Sequence, residues 1–248
     1  ATTVYEGRAD DLYISAYRDP TPGHQRDFVL RDIAFYKNEL FWLAPGGALQ
    51  KIDAPDSASK SVHREWLLLT LRDPWVVGGT THPAGTLLAA RFDAYMKGER
   101  KLDVLYQPTP TTSLSSMVGT KQHLVLNVLN DVKSTVRVLT PTAQGWRTSS
   151  IPGLPALGQI GVSAVDAMQS DAMWLTVTDF LTPTELMLGT VGDTSSAGAA
   201  LQVLKRSPVF FNAAGHQVEQ HFAKSKDGTR VPYFLVSPKG KLLDSNTP

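Results

Sequence analysis

The nearest approach in this chain to a reactive serine is Gly161-Val-Ser163-Ala-Val165. A serine nucleophile on a sharp strand-to-helix elbow requires G-x-S-x-G, because both glycines allow close backbone approach at a strained turn. Here the second glycine is Val165, and no strand-to-helix pattern surrounds Ser163, which therefore reads as an ordinary loop serine. Six histidines (His24, His63, His82, His123, His216 and His221) occur without H-E-x-x-H spacing. His216 and His221 lie five apart across an expected loop and strand, and each histidine reads as a surface or edge residue rather than a ligand or base. Asp10-Asp11 and the acids from Asp53 to Asp56 read as turn formers rather than calcium ligands, since aspartate at strand ends bonds its own backbone. The chain has no cysteine, which excludes disulfides, cysteine-ligated zinc and a cysteine nucleophile. No Gly-rich phosphate loop is present. Catalytic, cofactor-binding and metal residues are all assigned as none.

The elements around these groups are expected to be strands. The 248 residues are 42% hydrophobic and 19% charged, values of a globular chain able to bury a substantial core. With 24 basic and 23 acidic side chains there is no electrostatic footprint for nucleic acid or an anionic membrane. Lys224, Lys226, Arg230, Lys239 and Lys241 read as a solvated face. Runs such as Leu40-Phe-Trp-Leu-Ala44 and Trp66-Leu-Leu-Leu69 are far too short to span a bilayer. The start, Ala1-Thr-Thr-Val-Tyr-Glu-Gly-Arg8, has no signal-peptide pattern and no methionine, as an excised fragment would. A soluble protein of cytoplasm or periplasm is expected, with the compartment left open.

Four runs look equivalent: Leu12-Tyr-Ile-Ser-Ala-Tyr17, Trp66-Leu-Leu-Leu-Thr-Leu71, His123-Leu-Val-Leu-Asn-Val-Leu129 and Met173-Trp-Leu-Thr-Val-Thr178. Anchored on Leu12, Leu67, Leu124 and Trp174, they recur at a spacing of about fifty residues, the range of four-stranded propeller blades. Each is followed by two further β-prone runs, with Gly- and Pro-rich punctuation between units. A sandwich or barrel has similar strands but no reason for this period. The reading is all-β, a partial β-propeller of about four blades of four-stranded antiparallel sheet plus a C-terminal β-hairpin. Trp42, Trp66, Trp75, Trp146 and Trp174 are expected to wedge and fill the space between blades.

The hairpin follows from Val218-Glu-Gln-His-Phe-Ala-Lys-Ser225, Lys226-Asp-Gly-Thr229 and Arg230-Val-Pro-Tyr-Phe-Leu-Val-Ser237. Asp227-Gly228 between β-prone runs predicts a type I′ turn, with φ > 0 at both positions. The string from Gln220 to Val236 also resembles the segment where prolyl oligopeptidase family serine peptidases leave their β-propeller and begin an α/β-hydrolase domain. Asp179-Phe180-Leu181-Thr182-Pro183 is similar to the S/D-F-x-x-P signature of that family's last blade, in the right order and at about the right distance. The closing Lys241-Leu-Leu-Asp-Ser-Asn-Thr-Pro248 departs from the family's Lys-Leu-Asp-Gly.

The resemblance implies residues 1–212 as the C-terminal part of a propeller and 213–248 as linker and first hairpin of a truncated hydrolase domain. It implies a parent peptidase that cleaves short peptides, typically after proline, through a downstream Ser-Asp-His triad, with this part capping the active site. The implied partners are the remainder of the same polypeptide and, in the parent, short peptides. A partial ring would leave apolar faces open around Leu12 to Leu43 and Trp174 to Leu204, so a homodimer of the fragment is one expected outcome. The alternative is a stand-alone propeller or β-solenoid that binds a protein or glycan.

Overall fold

Each apolar run pairs antiparallel with a neighbour close in sequence, so the chain folds into successive small sheets. The structure, a computed structural model, describes residue 3 and residues 5–192 and 201–240, and the departing segment 241–248 lies outside the described residues. The chain divides into two compact units, Ala1–Pro110 and Thr111–Pro248.

The first unit begins with β1 (Tyr13–Asp19), β2 (Arg26–Ala34), β3 (Lys37–Leu43) and β4 (Leu49–Lys51), hydrogen-bonded in chain order. Its second sheet comprises β5 (Ser59–His63), β6 (Trp66–Thr70), β9 (Leu87–Arg91) and β10 (Asp103–Tyr106). A small hairpin, β7 (Trp75–Val77) with β8 (Thr80–His82), interrupts that sheet, and a five-residue helix α1 (Phe92–Met96) follows β9. Phe28 and Leu40 of one sheet meet Leu67, Leu69, Leu88 and Phe92 in a single buried cluster, against which Trp42 and Trp75 pack.

The second unit holds β11 (Thr112–Gly119), β12 (Leu124–Asn130), β13 (Lys133–Thr142) and β14 (Gly145–Ser150) in one sheet. β15 (Gln159–Ala164), β16 (Ala172–Thr178), β17 (Glu185–Thr190) and β18 (Gln202–Arg206) form the next, and β19 (His216–Lys224) pairs with β20 (Arg230–Pro238). Val125, Val136 and Val138 bury against Ile160, Met173, Leu175 and Met187. The first strand of the second sheet has one edge turned toward its neighbour sheet. The Ile160 N–H donates to Ser134 Oγ at 3.2 Å, and Asn127 Nδ2–H donates to the Ile160 carbonyl at 2.5 Å, so a buried strand edge that no further strand pairs is satisfied there by side chains.

The architecture is thus all-β, with four blade-like sheets and a C-terminal hairpin, and three of the four anchors fall on second strands: Leu67 in β6, Leu124 in β12 and Trp174 in β16. Leu12 does not. It precedes β1, and the equivalent strand is β2, whose apolar Phe28-Val29-Leu30 is bracketed by charges. Two of those charges are buried yet paired. Arg31 Nε–H donates to Asp11 at 2.5 Å and Nη1–H to Glu39 at 2.8 Å, while Arg26 Nη1–H reaches the Arg64 carbonyl at 2.7 Å.

The expected open face at Leu12 to Leu43 is partly covered by the chain's own start: Tyr5 packs on Phe41, ring centroids 6.0 Å apart, and Asp11 pairs with Arg31. Trp174, Leu186 and Leu188 of the last sheet are half-buried on the side away from the core. The hairpin turn also differs from expectation. Only Gly228 has positive φ, and the turn is closed by Ser225 N–H to the Thr229 carbonyl at 2.9 Å and Gly228 N–H to the Ser225 carbonyl at 3.0 Å. A three-residue loop with a left-handed glycine has replaced the two-residue type I′ turn.

Candidate functional site

In the second unit, the hairpin meets two connections between second and third strands. The first is the two-residue link Asp131–Val132 between β12 and β13, where Asn130 pairs with Lys133. The second is the loop from Asp179 to Thr184 between β16 and β17. Asp179 Oδ1 accepts the N–H of Leu181 at 2.7 Å and of Thr182 at 2.6 Å, which fixes the loop before Pro183. Phe180 is thereby held outward, 4.9 Å from the ring of Phe234 on β20.

Strand alternation puts Gln220, Phe222, Arg230 and Phe234 on one face of the hairpin, since Gln220 lies opposite Phe234 and Lys224 opposite Arg230. From that face Gln220 Nε2–H donates to the Asp131 carbonyl at 2.7 Å and Arg230 Nη2–H to the Asp131 carboxylate at 2.6 Å. Arg230 is therefore a paired cation rather than only part of a solvated face. A cleft of about 330 Å³ opens among Val132, Gly158, Gln159, Asp179, Phe180 and Phe234. An adjoining cleft of about 280 Å³ is lined by Leu181, Pro183 and the exposed Val209, Phe210 and Phe211. At the hairpin tip, the Ser225 hydroxyl and the Thr229 N–H hold the Asp227 carboxyl down to about 2.

The groups singled out in the sequence are not brought together. Ser163 is a regular β15 residue paired with Trp174, not a loop residue, and nothing there makes a strand-to-helix elbow. His216 and His221 both lie in β19, where a spacing of five puts them on opposite faces. His82 and His123 are buried rather than at the surface. His123 Nδ1 bonds Thr140 Oγ1 at 2.8 Å, and burial lowers its pKa against the opposing pull of Asp171. The acids form ion pairs: Asp11 with Arg31, Asp53 with Arg100 at 2.7 Å and Asp56 with Lys51 at 3.1 Å. Among the described residues there is no group of three or more His, Cys, Asp or Glu that could hold a metal, and no helix long and apolar enough to cross a membrane.

Chemically, the arrangement is a docking cradle of aromatic contacts and charge-assisted hydrogen bonds. Phe180 and Gln220 fall within the motifs read from sequence. Asp131 and Val132 carry no such signal, because Asn-Asp-Val-Lys contains none of the glycine that marks a tight hairpin link.

No family model matches the chain. It is 26% identical to an uncharacterized peptidase, y4nA, of Sinorhizobium fredii, in an alignment covering 100% of this chain and 34% of that one. Its structure matches a post-proline cleaving enzyme from Rickettsia typhi with a TM-score of 0.75 and 23% identity, over 96% of this chain and 35% of the other. A prolyl endopeptidase aligns with a TM-score of 0.64 and 25% identity, covering 96% of this chain and 33% of its own length. The chain therefore spans about a third of the length of the proteins it matches.

Proposed function

We propose that this chain is the β-propeller portion of a prolyl oligopeptidase family peptidase, and so a non-catalytic part of a longer serine peptidase. In that parent it caps the active site and limits access to short peptides. Peptide bonds, typically after proline, are cleaved by a Ser-Asp-His triad outside this chain, through an acyl-enzyme that water then hydrolyses. The observation that carries this reading is end-to-end coverage of this chain by alignments that take in only a third of each peptidase. Residues 1–212 act as propeller and 213–248 as linker and first hairpin of the next domain.

The test is the reading frame. Extended past codon 248 and expressed, it is expected to encode a G-x-S-x-G serine and to cleave a short proline-containing peptide while sparing a folded protein. A frame that stops there, with a product that retains a protein or glycan on a column, would favour the stand-alone binding module instead. For the isolated chain, the half-buried Trp174, Leu186 and Leu188 support a homodimer through the last sheet. Light scattering is expected to give twice the chain mass, and a monomer at all concentrations would exclude it.

A further inference from the structure

Asp131 and Val132 both have left-handed backbone, with φ of 45° and 65°. This is the type I′ geometry that Asn-Gly or Asp-Gly adopts without strain, and a β-branched residue there is an outlier that surrounding structure must hold in place. Val132 is 53% exposed, yet its side chain forms a wall of the cleft shared with Phe180 and Phe234. The strained link is gripped on its Asp131 side by Gln220 and Arg230. The Arg230 guanidinium also lies 3.6 Å over the ring of Phe222, which orients it along the hairpin face.

Among the described residues, β19 and β20 form a two-stranded sheet that pairs with no other strand. The contacts that join it to the neighbouring sheets include, on one face, the hydrogen bonds of Gln220 and Arg230 to Asp131 and the ring contact of Phe234 with Phe180. The ionic contact is partly solvated, with Asp131 and Arg230 side chains 20% and 55% exposed, so dissolved salt screens it.

We propose that the Asp131–Val132 link is the catch of a latch: Arg230 and Gln220 fasten the hairpin to Asp131, Phe234 packs on Phe180 across the cleft that Val132 walls, and the hairpin releases as a unit while the four-stranded sheets stay folded. A rigid anchor would have been served by Asp-Gly. Valine at the second position sacrifices ease of the turn for an apolar wall of the cleft that Phe234 of the hairpin also lines. This goes beyond the proposed function and does not depend on it, because the latch is a property of this chain.

Amide hydrogen exchange on the full chain tests it, in wild type, Arg230→Met and Val132→Gly. Methionine keeps an apolar stem over Phe222 but removes the charge. In Arg230→Met, amides across 216–238 are expected to exchange roughly three- to tenfold faster, the scale of one partly exposed charge-assisted contact, while Leu126 and Val138 do not change. Raising salt speeds hairpin exchange in wild type and not in Arg230→Met, which a merely structural arginine would not produce. Val132→Gly relieves the backbone strain yet still speeds hairpin exchange, because the wall is gone. Unchanged hairpin exchange in both variants, or an equal rise in β12 and β13, would overturn the latch.

Discussion

Replacing Phe92 by alanine is expected to destabilise the first unit by about 3–5 kcal/mol, the range for a large aromatic removed from a core that relaxes only partly. Phe92 is fully buried and meets Phe28 and Trp42 edge-on, at centroid distances of 6.0 and 5.4 Å and interplanar angles of 89° and 87°. Edge-to-face geometry sets the positive ring edge against a negative face, adding about 0.5–1.5 kcal/mol per pair beyond the area buried. The Arg26 guanidinium lies 4.3 Å over the same ring, so truncation also strips a buried cation of its aromatic partner.

The residue's place in the chain raises the effect. Phe92 opens α1, and a five-residue helix cannot hold itself together. Its anchor into the cluster keeps the helix and the Arg26–Asp93 ion pair in place. Leucine keeps much of the volume and is expected to cost less than alanine. Urea unfolding followed by tryptophan fluorescence, to which Trp42, Trp66 and Trp75 of the first unit contribute, reads the change, and a loss below about 1 kcal/mol would mean that the cluster collapses around the cavity.

Gly158→Ala is expected to cost about 1–3 kcal/mol, at the upper end because the obstacle is backbone. A Cβ on Gly158 would sit 2.6 Å from the Thr178 carbonyl oxygen and 3.2 Å from Asp179 Cβ. Its φ is not left-handed, so glycine is needed here for close approach of chains and not for turn geometry. The Gly158 carbonyl also accepts the Ser134 N–H at 3.3 Å, so displacement pulls on the neighbouring sheet. Because Asp179 fixes the loop that holds Phe180 outward, the variant should disturb the cradle as well as lower the melting temperature. Gly161→Ala is the control. Its Cβ meets nothing nearer than 3.8 Å, and it is expected to melt as wild type does.

Where side-chain alternation and burial agree, the strands are legible directly. β6 and β12 are buried along nearly their whole length and appear as unbroken apolar runs. β2 is concealed by Arg26, Asp27, Arg31 and Asp32, and the burial of its two arginines depends on partners as distant in sequence as Asp93. β15 is concealed by small and polar residues, since its edge is satisfied by Asn127 and Ser134 and not by its own side chains. At the candidate site, the loop from Asp179 and both hairpin strands are legible as motifs. Their receptor is not, because Asp131–Val132 adopts glycine-like geometry without glycine, and that choice makes sense only once Phe180 and Phe234 are beside it.

If this chain is scaffold, with the reacting groups elsewhere in its parent, a fluorophosphonate probe finds nothing in it to bond. Such probes react only with a serine activated by a base and an oxyanion site. Intact-mass measurement after incubation is therefore expected to show no adduct, at probe concentrations that fully label an active serine peptidase run beside it. A stoichiometric adduct on Ser163, or on any other serine of this chain, would overturn the scaffold reading and require a base and an orienting acid among residues that the fold holds apart.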